Sequence, residues 1–250
     1  MVTYRLDLAY LGGGFHGWAA QPGVRTVQGE VERALNRITG QEASLAVAGR
    51  TDAGVHAGAQ VASFQLPEQV LESKVVNGLN SMLGPEVAVV SCRLVEDRFD
   101  ARFSACWRSY RYRVLTTDTP DPFQASTSWH YPGHLDLAAM NSAVHHLVGE
   151  HDFASFCRVP PGGTARRRVL DAGWSMGDDQ IAVLAIAATS FCHQMVRSVA
   201  GLSTEVGKGR ADPAAVPEII EKRDRAAARR VAPPHGLTLW RVGYREWPDE

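Results

Sequence analysis

The chain has 250 residues, 45% hydrophobic and 21% charged, a globular composition able to build a sizeable core, and no segment approaches the roughly 18 consecutive apolar residues of a membrane helix. The start of the chain is strand-like and shows no signal peptide; Cys92, Cys106, Cys157 and Cys192 have no CxxC spacing, which argues against a zinc site or redox pair and for free thiols in a cytosolic protein. A net charge of -1 does not advertise a nucleic-acid binder, yet basic residues gather at Arg93, Arg98, Arg102, Arg108, Arg111 and Arg113, at Arg166 to Arg168, and from Lys222 to Arg230, while acids concentrate elsewhere, as at Asp178-Asp179 and Asp249-Glu250. A neutral chain can present a basic groove in this way.

Val2 to Tyr10 alternates, with Tyr4, Leu6, Leu8 and Tyr10 on one side, and predicts a half-buried strand. Gly12-Gly13-Gly14 through Trp18 suggests a phosphate cradle but lacks P-loop and dinucleotide spacing, so a flexible loop carrying Trp18 is expected. Thr26 reads as an N-cap, Val27, Val31, Leu35 and Ile38 as a helical core stripe, and Gly40 as its end. A strand over 44–47, a polar loop and a strand over 60–66 follow. Pro67 and Glu68 open a second helix reaching about Met82. Gly84-Pro85 ends it, and a strand runs from Glu86 to Leu94. This order of strand, helix, strand, strand, helix, strand is ferredoxin-like.

A polar connector, Glu96 to Trp107, leads to a strand over 109–116. Tyr110 and Tyr112 share one face of that strand, and Arg111 and Arg113 share the other. A long loop over 117–133 precedes a helix capped by Asp136 and running from Leu137 to Val148. His151 to Phe156 reads as an irregular aromatic segment, and Pro160 to Gly163 as a flexible loop. A hairpin turns at Gly177-Asp178-Asp179. Helices are expected over 191–206 and from Asp212-Pro213, and a last strand over 237–244. The fold class expected is α+β. Residues 1–104 and 105–250 form two ferredoxin-like halves whose mainly antiparallel strands join in one helix-flanked sheet, with an active-site cleft between the halves.

The stretch that gathers most chemistry is Gly49-Arg50-Thr51-Asp52-Ala53-Gly54-Val55-His56. Between two strand-like segments, it reads as a loop on a rigid scaffold, where binding and catalytic groups tend to sit. Taken alone, it reads first as a turn whose Asp52 caps its own backbone.

Two further segments stand beside it: Ala101-Arg102-Phe103-Ser104-Ala105 leading to Tyr110-Arg111-Tyr112, and Phe191-Cys192-His193-Gln194-Met195-Val196-Arg197. With Phe15 to Trp18, Thr26 to Gly29, Asp152 to Phe156 and Gly236 to Leu239, the set resembles the tRNA pseudouridine synthase A family through most of the chain. The resemblance implies a metal-free, cofactor-free isomerisation of uridine in the anticodon stem-loop of tRNA, by a cytoplasmic homodimer with the tRNA spanning both subunits. It makes Asp52 the catalytic group, Arg197 its cationic partner and Tyr110 the ring stacked on the target base. Leu239 would line the pocket, and Arg50 would hold the backbone or fill the space of the flipped nucleotide. His56 would either touch RNA or only orient the loop. Arg102, Arg111 and Arg166 to Arg168 are expected to meet phosphates. The chain departs from the family pattern at Ala19-Ala20, at Ser63 and at Gly84. Two other readings are a pseudouridine synthase with a different RNA target and a non-catalytic RNA-binding or tRNA-folding protein.

Overall fold

The structure, a computed structural model, describes residues 1–159, 162–177, 179–228 and 230–247. Pro160 and Pro161 of the expected loop, Asp178 of the hairpin tip, Arg229 and the acidic end Asp249-Glu250 lie outside the described residues. The chain divides into two compact units: Met1–Cys106 together with Leu239–Glu250, and Trp107–Thr238. The expected division at 104/105 lies beside the first of these boundaries, and the final strand groups with the first unit.

In the first unit, strand β1 (Val2–Tyr10) is central, because its alternation buries Tyr4, Leu6, Leu8 and Tyr10 on one face. Helix α1 (Val27–Thr39) begins where Thr26 Oγ1 accepts from the Gly29 N–H at 3.3 Å and ends at Gly40 in the left-handed region. Its stripe of Val27, Val31, Ala34 and Leu35 is buried, as the helical spacing requires. Strand β2 (Ala46–Val47) is short, strand β3 (His56–Leu66) is long, and helix α2 (Glu72–Leu83) leads to strand β4 (Val87–Val95). β1 pairs antiparallel with both β3 and β4, so that Leu6 faces Ala62 on one side and Cys92 on the other. β2 lies along β3 at Ala62 and Ser63. This is the antiparallel order that the strand and helix sequence predicts. Asp7 fastens β1 to β4: its carboxylate accepts from Arg5 at 2.7 Å, Ser91 at 2.7 Å and Arg93 at 2.8 Å. Burial pushes the carboxyl's pKa up, but these hydrogen bonds outweigh it and hold the group below its usual value.

Helix α2 starts four residues later than its Pro67-Glu68 signal predicts. The reason is local. The Glu68 N–H donates to Gln41 Oε1 at 2.9 Å and the Val70 N–H to the Tyr4 hydroxyl at 2.7 Å, so side chains divert this segment's backbone from helix. β3 conversely begins at His56 rather than Gln60, since Tyr10 already pairs with Ala57.

In the second unit, strand β5 (Trp107–Leu115) carries at its end a short parallel partner, β6 (Trp129–His130). Helix α3 (Leu137–His145) is capped by Asp136, whose carboxylate accepts from Ala139 at 3.0 Å. Strands β7 (Gly149–Asp152), β8 (Arg166–Met176) and β9 (Ile181–Ala188) complete the sheet of this unit in the order β5-β9-β8-β7, each pair antiparallel. Helices α4 (Met195–Gly207) and α5 (Val216–Lys222) follow, then β10 (Leu237–Gly243), whose main part belongs to the first unit beside β3.

Three expectations are corrected here. The opening of the segment 151–156 is not irregular, since His151 and Asp152 pair with Arg167 and Arg166. The helix expected over 191–206 starts only at Met195: Gln194 has φ +67°, and the His193 carbonyl accepts from the Arg158 N–H at 3.2 Å. The spacing predicts four free thiols, yet Cys157 and Cys192 form a disulfide, leaving Cys92 and Cys106 free. Local spacing could not reveal a pair 35 residues apart, which the fold brings to a Cα separation of 5.8 Å. The α+β class stands as expected. Among the described residues no helix is long and apolar enough to cross a membrane.

Candidate active site

The Asp52 loop runs from Ala48 to Val55, between β2 and β3, and is braced from beneath. Gln60 on β3 is fully buried, and its Nε2 donates to the Gly49 carbonyl at 2.8 Å and to the Tyr10 hydroxyl at 3.1 Å. The Tyr10 hydroxyl shares a hydrogen with Thr51 Oγ1 at 2.8 Å. Burial pushes the Tyr10 phenol up to about 12, so it stays neutral and available as a donor. The Thr51 carbonyl accepts from the Trp18 N–H at 3.0 Å, the Gly54 N–H donates to Phe15 at 3.3 Å, and the Val55 N–H closes a turn onto the Asp52 carbonyl at 3.1 Å. Gly17 explains this close approach. It sits at φ +87°, and a Cβ there would lie 2.8 Å from the Thr51 carbonyl oxygen.

The glycine-rich stretch is therefore a foundation, and the expectation of a flexible loop is corrected. Gly12 to Gly14 form a single helical turn, Trp18 is fully buried, and its indole lies 5.9 Å from the Tyr10 ring. His56, 3% exposed, accepts the Gly12 N–H on Nδ1 at 2.9 Å. Asp52 is half-buried on this frame and Arg50 is exposed. Leu239 on β10 is fully buried. Arg102 is exposed on the turn before β5. Ser63, where the chain departs from the family pattern, holds that same turn, since its Oγ accepts from the Ala101 N–H at 3.0 Å.

In the second unit, Tyr110 projects from β5 and is 8% exposed, with Phe191 meeting its ring edge-on at 5.0 Å. Arg111 follows on the opposite face of the strand and is exposed. Arg197, the third residue of α4, donates from Nε to the Ala232 carbonyl at 2.8 Å, while its own carbonyl accepts from the Ala232 N–H at 3.0 Å. Its charge is felt by several neighbours. The Arg225 guanidinium is held below its ordinary pKa by burial and by Arg158 and Arg197, and it donates to Gln194 at 2.7 Å. His235 is also held low, by burial first and then by Arg197, against a hydrogen bond to the Ser128 backbone that raises it.

The candidate residues thus fall into two groups: Arg50, Asp52 and His56 on one braced loop, and Tyr110 and Arg197 in the second unit, with Phe191 against the Tyr110 ring. Arg166 to Arg168 lie on β8, two strands from β5; Arg166 pairs with Glu150 at 3.4 Å, and Arg167 is turned onto the Thr164 carbonyl at 3.0 Å. Sequence reasoning gives no role to Gln60, nor to Phe191 and Gln194 within the segment it singles out, because none carries a chemical signature of its own. Only the alternation that places Gln60 inward could have signalled its role. Among the described residues no group of three or more His, Cys, Asp or Glu side chains is placed to hold a metal ion.

A family model described as tRNA pseudouridine synthase matches residues 143–245. A protein of Leifsonia xyli subsp. xyli is 42% identical, with the alignment covering 97% of this chain and 92% of that one. One of Cutibacterium acnes is 44% identical over 98% of this chain and 89% of its own. One of Frankia casuarinae is 43% identical over 100% and 92%. All three are named tRNA pseudouridine synthase A. The chain belongs to the tRNA pseudouridine synthase A family. It is an isomerase that converts uridine to pseudouridine in tRNA. The family model spans Arg197 and Leu239 but stops short of Asp52 and Tyr110, whereas the synthase relatives align over nearly the whole chain.

Proposed function

We propose that this synthase acts on uridines of the tRNA anticodon stem-loop, in the cytoplasm and as a homodimer, with Asp52 as the group that performs the chemistry. The isomerisation breaks the bond from N1 of uracil to C1′ of the ribose, turns the base and joins C5 to C1′; the C5 proton leaves carbon and N1 takes up a proton, so the atoms balance. Nothing is oxidised or reduced. A carboxylate meets this chemistry as a nucleophile toward the sugar, as a nucleophile toward the base, or as a base that removes a proton. Arg197 supplies a positive charge as partner to the carboxylate, since an unpaired charge in a closed pocket is costly, and Tyr110 stacks on the uracil. Leu239 contributes an apolar wall. A uridine in a stem must leave the stack before any of this can occur, and Arg50 holds its backbone or takes its place.

The observation that carries this reading is the bracing of the Asp52 loop. Gln60, Trp18 and Phe15 fix its backbone at Gly49, Thr51 and Gly54, and a reacting group gains rate from such fixed placement. A loop that served only to turn the chain would not need a fully buried glutamine and tyrosine beneath it. The test is Asp52→Ala, assayed for pseudouridine in tRNA with the modified positions mapped. We expect turnover to vanish and tRNA affinity to stay within about twofold, because the substitution removes chemistry rather than contact area. Residual turnover near wild type would reject Asp52, and pseudouridine outside the anticodon stem-loop would reject the target.

A further inference from the structure

We propose that Phe103, with Arg102 laid on its ring, is a platform on which an unstacked base of the tRNA lands. An exposed phenylalanine alone says little. What sets Phe103 apart is its mounting. The ring is 79% exposed, yet every backbone N–H of the turn that carries it, from Asp100 to Ser104, has a partner. Asp100 Oδ1 accepts from both the Arg102 and the Phe103 N–H, at 2.7 and 2.8 Å. The Ser104 N–H donates to the Asp100 carbonyl at 2.9 Å, and Ser104 Oγ accepts from the Asp100 N–H at 3.1 Å. Ala101 is gripped from both sides, its N–H by Ser63 at 3.0 Å and its carbonyl by the Tyr244 hydroxyl at 2.9 Å.

The turn also shares its core with the reactive loop. Ala101 is fully buried in a cluster with Val61 and Ala48, and Phe99, Val242 and Tyr244 pack against it. Ala48 is the residue from which the Asp52 loop springs. The Arg102 guanidinium lies 5.2 Å from the Phe103 ring centre. A rigid flat ring topped by a planar cation is what base stacking on single-stranded or flipped nucleotides uses, with the cation also serving phosphate. The ring therefore stands at a fixed offset from Asp52 and holds a second point of the same tRNA. The proposal rests on the tRNA substrate and is independent of which group performs the chemistry.

The test compares tRNA affinity of the full chain and its Phe103→Ala, Phe103→Trp and Arg102→Ala variants, each made in the Asp52→Ala background. Binding is read directly, so an error about Asp52 would leave the comparison standing. Phe103→Ala should weaken binding about tenfold with its salt slope unchanged, since no charge is lost. Phe103→Trp should stay within about twofold, because an indole offers a face for the same stack. Arg102→Ala should lower the salt slope by about one. Thermal unfolding should not move for Phe103→Ala. Wild-type affinity in Phe103→Ala overturns the proposal, as does a lowered melting temperature, which would make the ring a support of the turn. A halved particle mass in Phe103→Ala would assign the ring to a second copy of the chain and equally overturn it.

Discussion

Gly17 shows how much of the site rests on single residues that carry no chemistry. It has φ +87°, and its missing Cβ leaves room for the Thr51 carbonyl. Gly17→Ala adds a left-handed penalty of about 1–2 kcal/mol and an overpacking cost of about 1–3 kcal/mol. We expect a lower melting temperature and a fall in kcat that exceeds any change in tRNA affinity, measured by thermal unfolding and by single-turnover kinetics. Unchanged kcat would mean that the loop tolerates displacement at Thr51. In sequence, residues 49–56 stand out by the polar and charged groups they gather, but their support does not. Tyr10, Gln60 and Trp18 act through hydrogen bonds that join residues far apart in the chain, as between Tyr10 and Thr51, and no local pattern encodes such a bond. His56 illustrates the same limit: its residue type leaves two roles open, and nothing local foretells that its Nδ1 accepts the Gly12 N–H.

At the scale of elements, legibility follows periodicity. β1 and α1 fall where alternation, cap and glycine place them, since each is decided by its own residues. The starts of α2 and α4 do not, because Gln41, Tyr4 and Arg158 reach in from elsewhere and take their backbone groups. The disulfide belongs to this class of long-range decisions. It ties the turn after β7 to the segment that carries Phe191 and leads into α4, across 35 residues. On the chain-entropy account such a closure stabilises by up to about 4 kcal/mol. Reduction with a dithiol, or Cys157→Ser, should therefore lower the melting temperature by several degrees, roughly 2–4 °C per kcal/mol for a chain of this size. Because Phe191 meets Tyr110 edge-on, turnover should fall with it. A melting curve indifferent to reduction would show that the clamp adds no stability.

For the molecule as a whole, a net charge of -1 must be reconciled with a polyanionic substrate. The answer is distribution: burial first, and then Arg158 and Arg197, hold Arg225 below its ordinary pKa, which marks a cluster of cations, and local charge, rather than the total, attracts phosphate. Two copies would double such patches along one tRNA. Light scattering at assay concentration should accordingly report twice the 27.2 kDa of a single chain, and a monomer there would remove the dimer from the proposal. The α+β class is readable from element order, whereas the return of the last strand to the first unit is not, because a single strand carries no mark of its neighbour.

That return sets a timetable. The ribosome releases residues 1–106 first, but β3 must wait for β10 until all of Trp107–Thr238 has emerged, a delay of roughly ten seconds at ordinary elongation rates. The later unit is continuous and can close while the earlier one is still incomplete. In that interval β2 and Ala48 cover only Val61, Ala62 and Ser63 of β3, so the stretch from His56 to Gln60, where the Asp52 loop joins the sheet, presents a bare edge to any other nascent strand. That edge closes only when the last strand of the chain arrives beside β3.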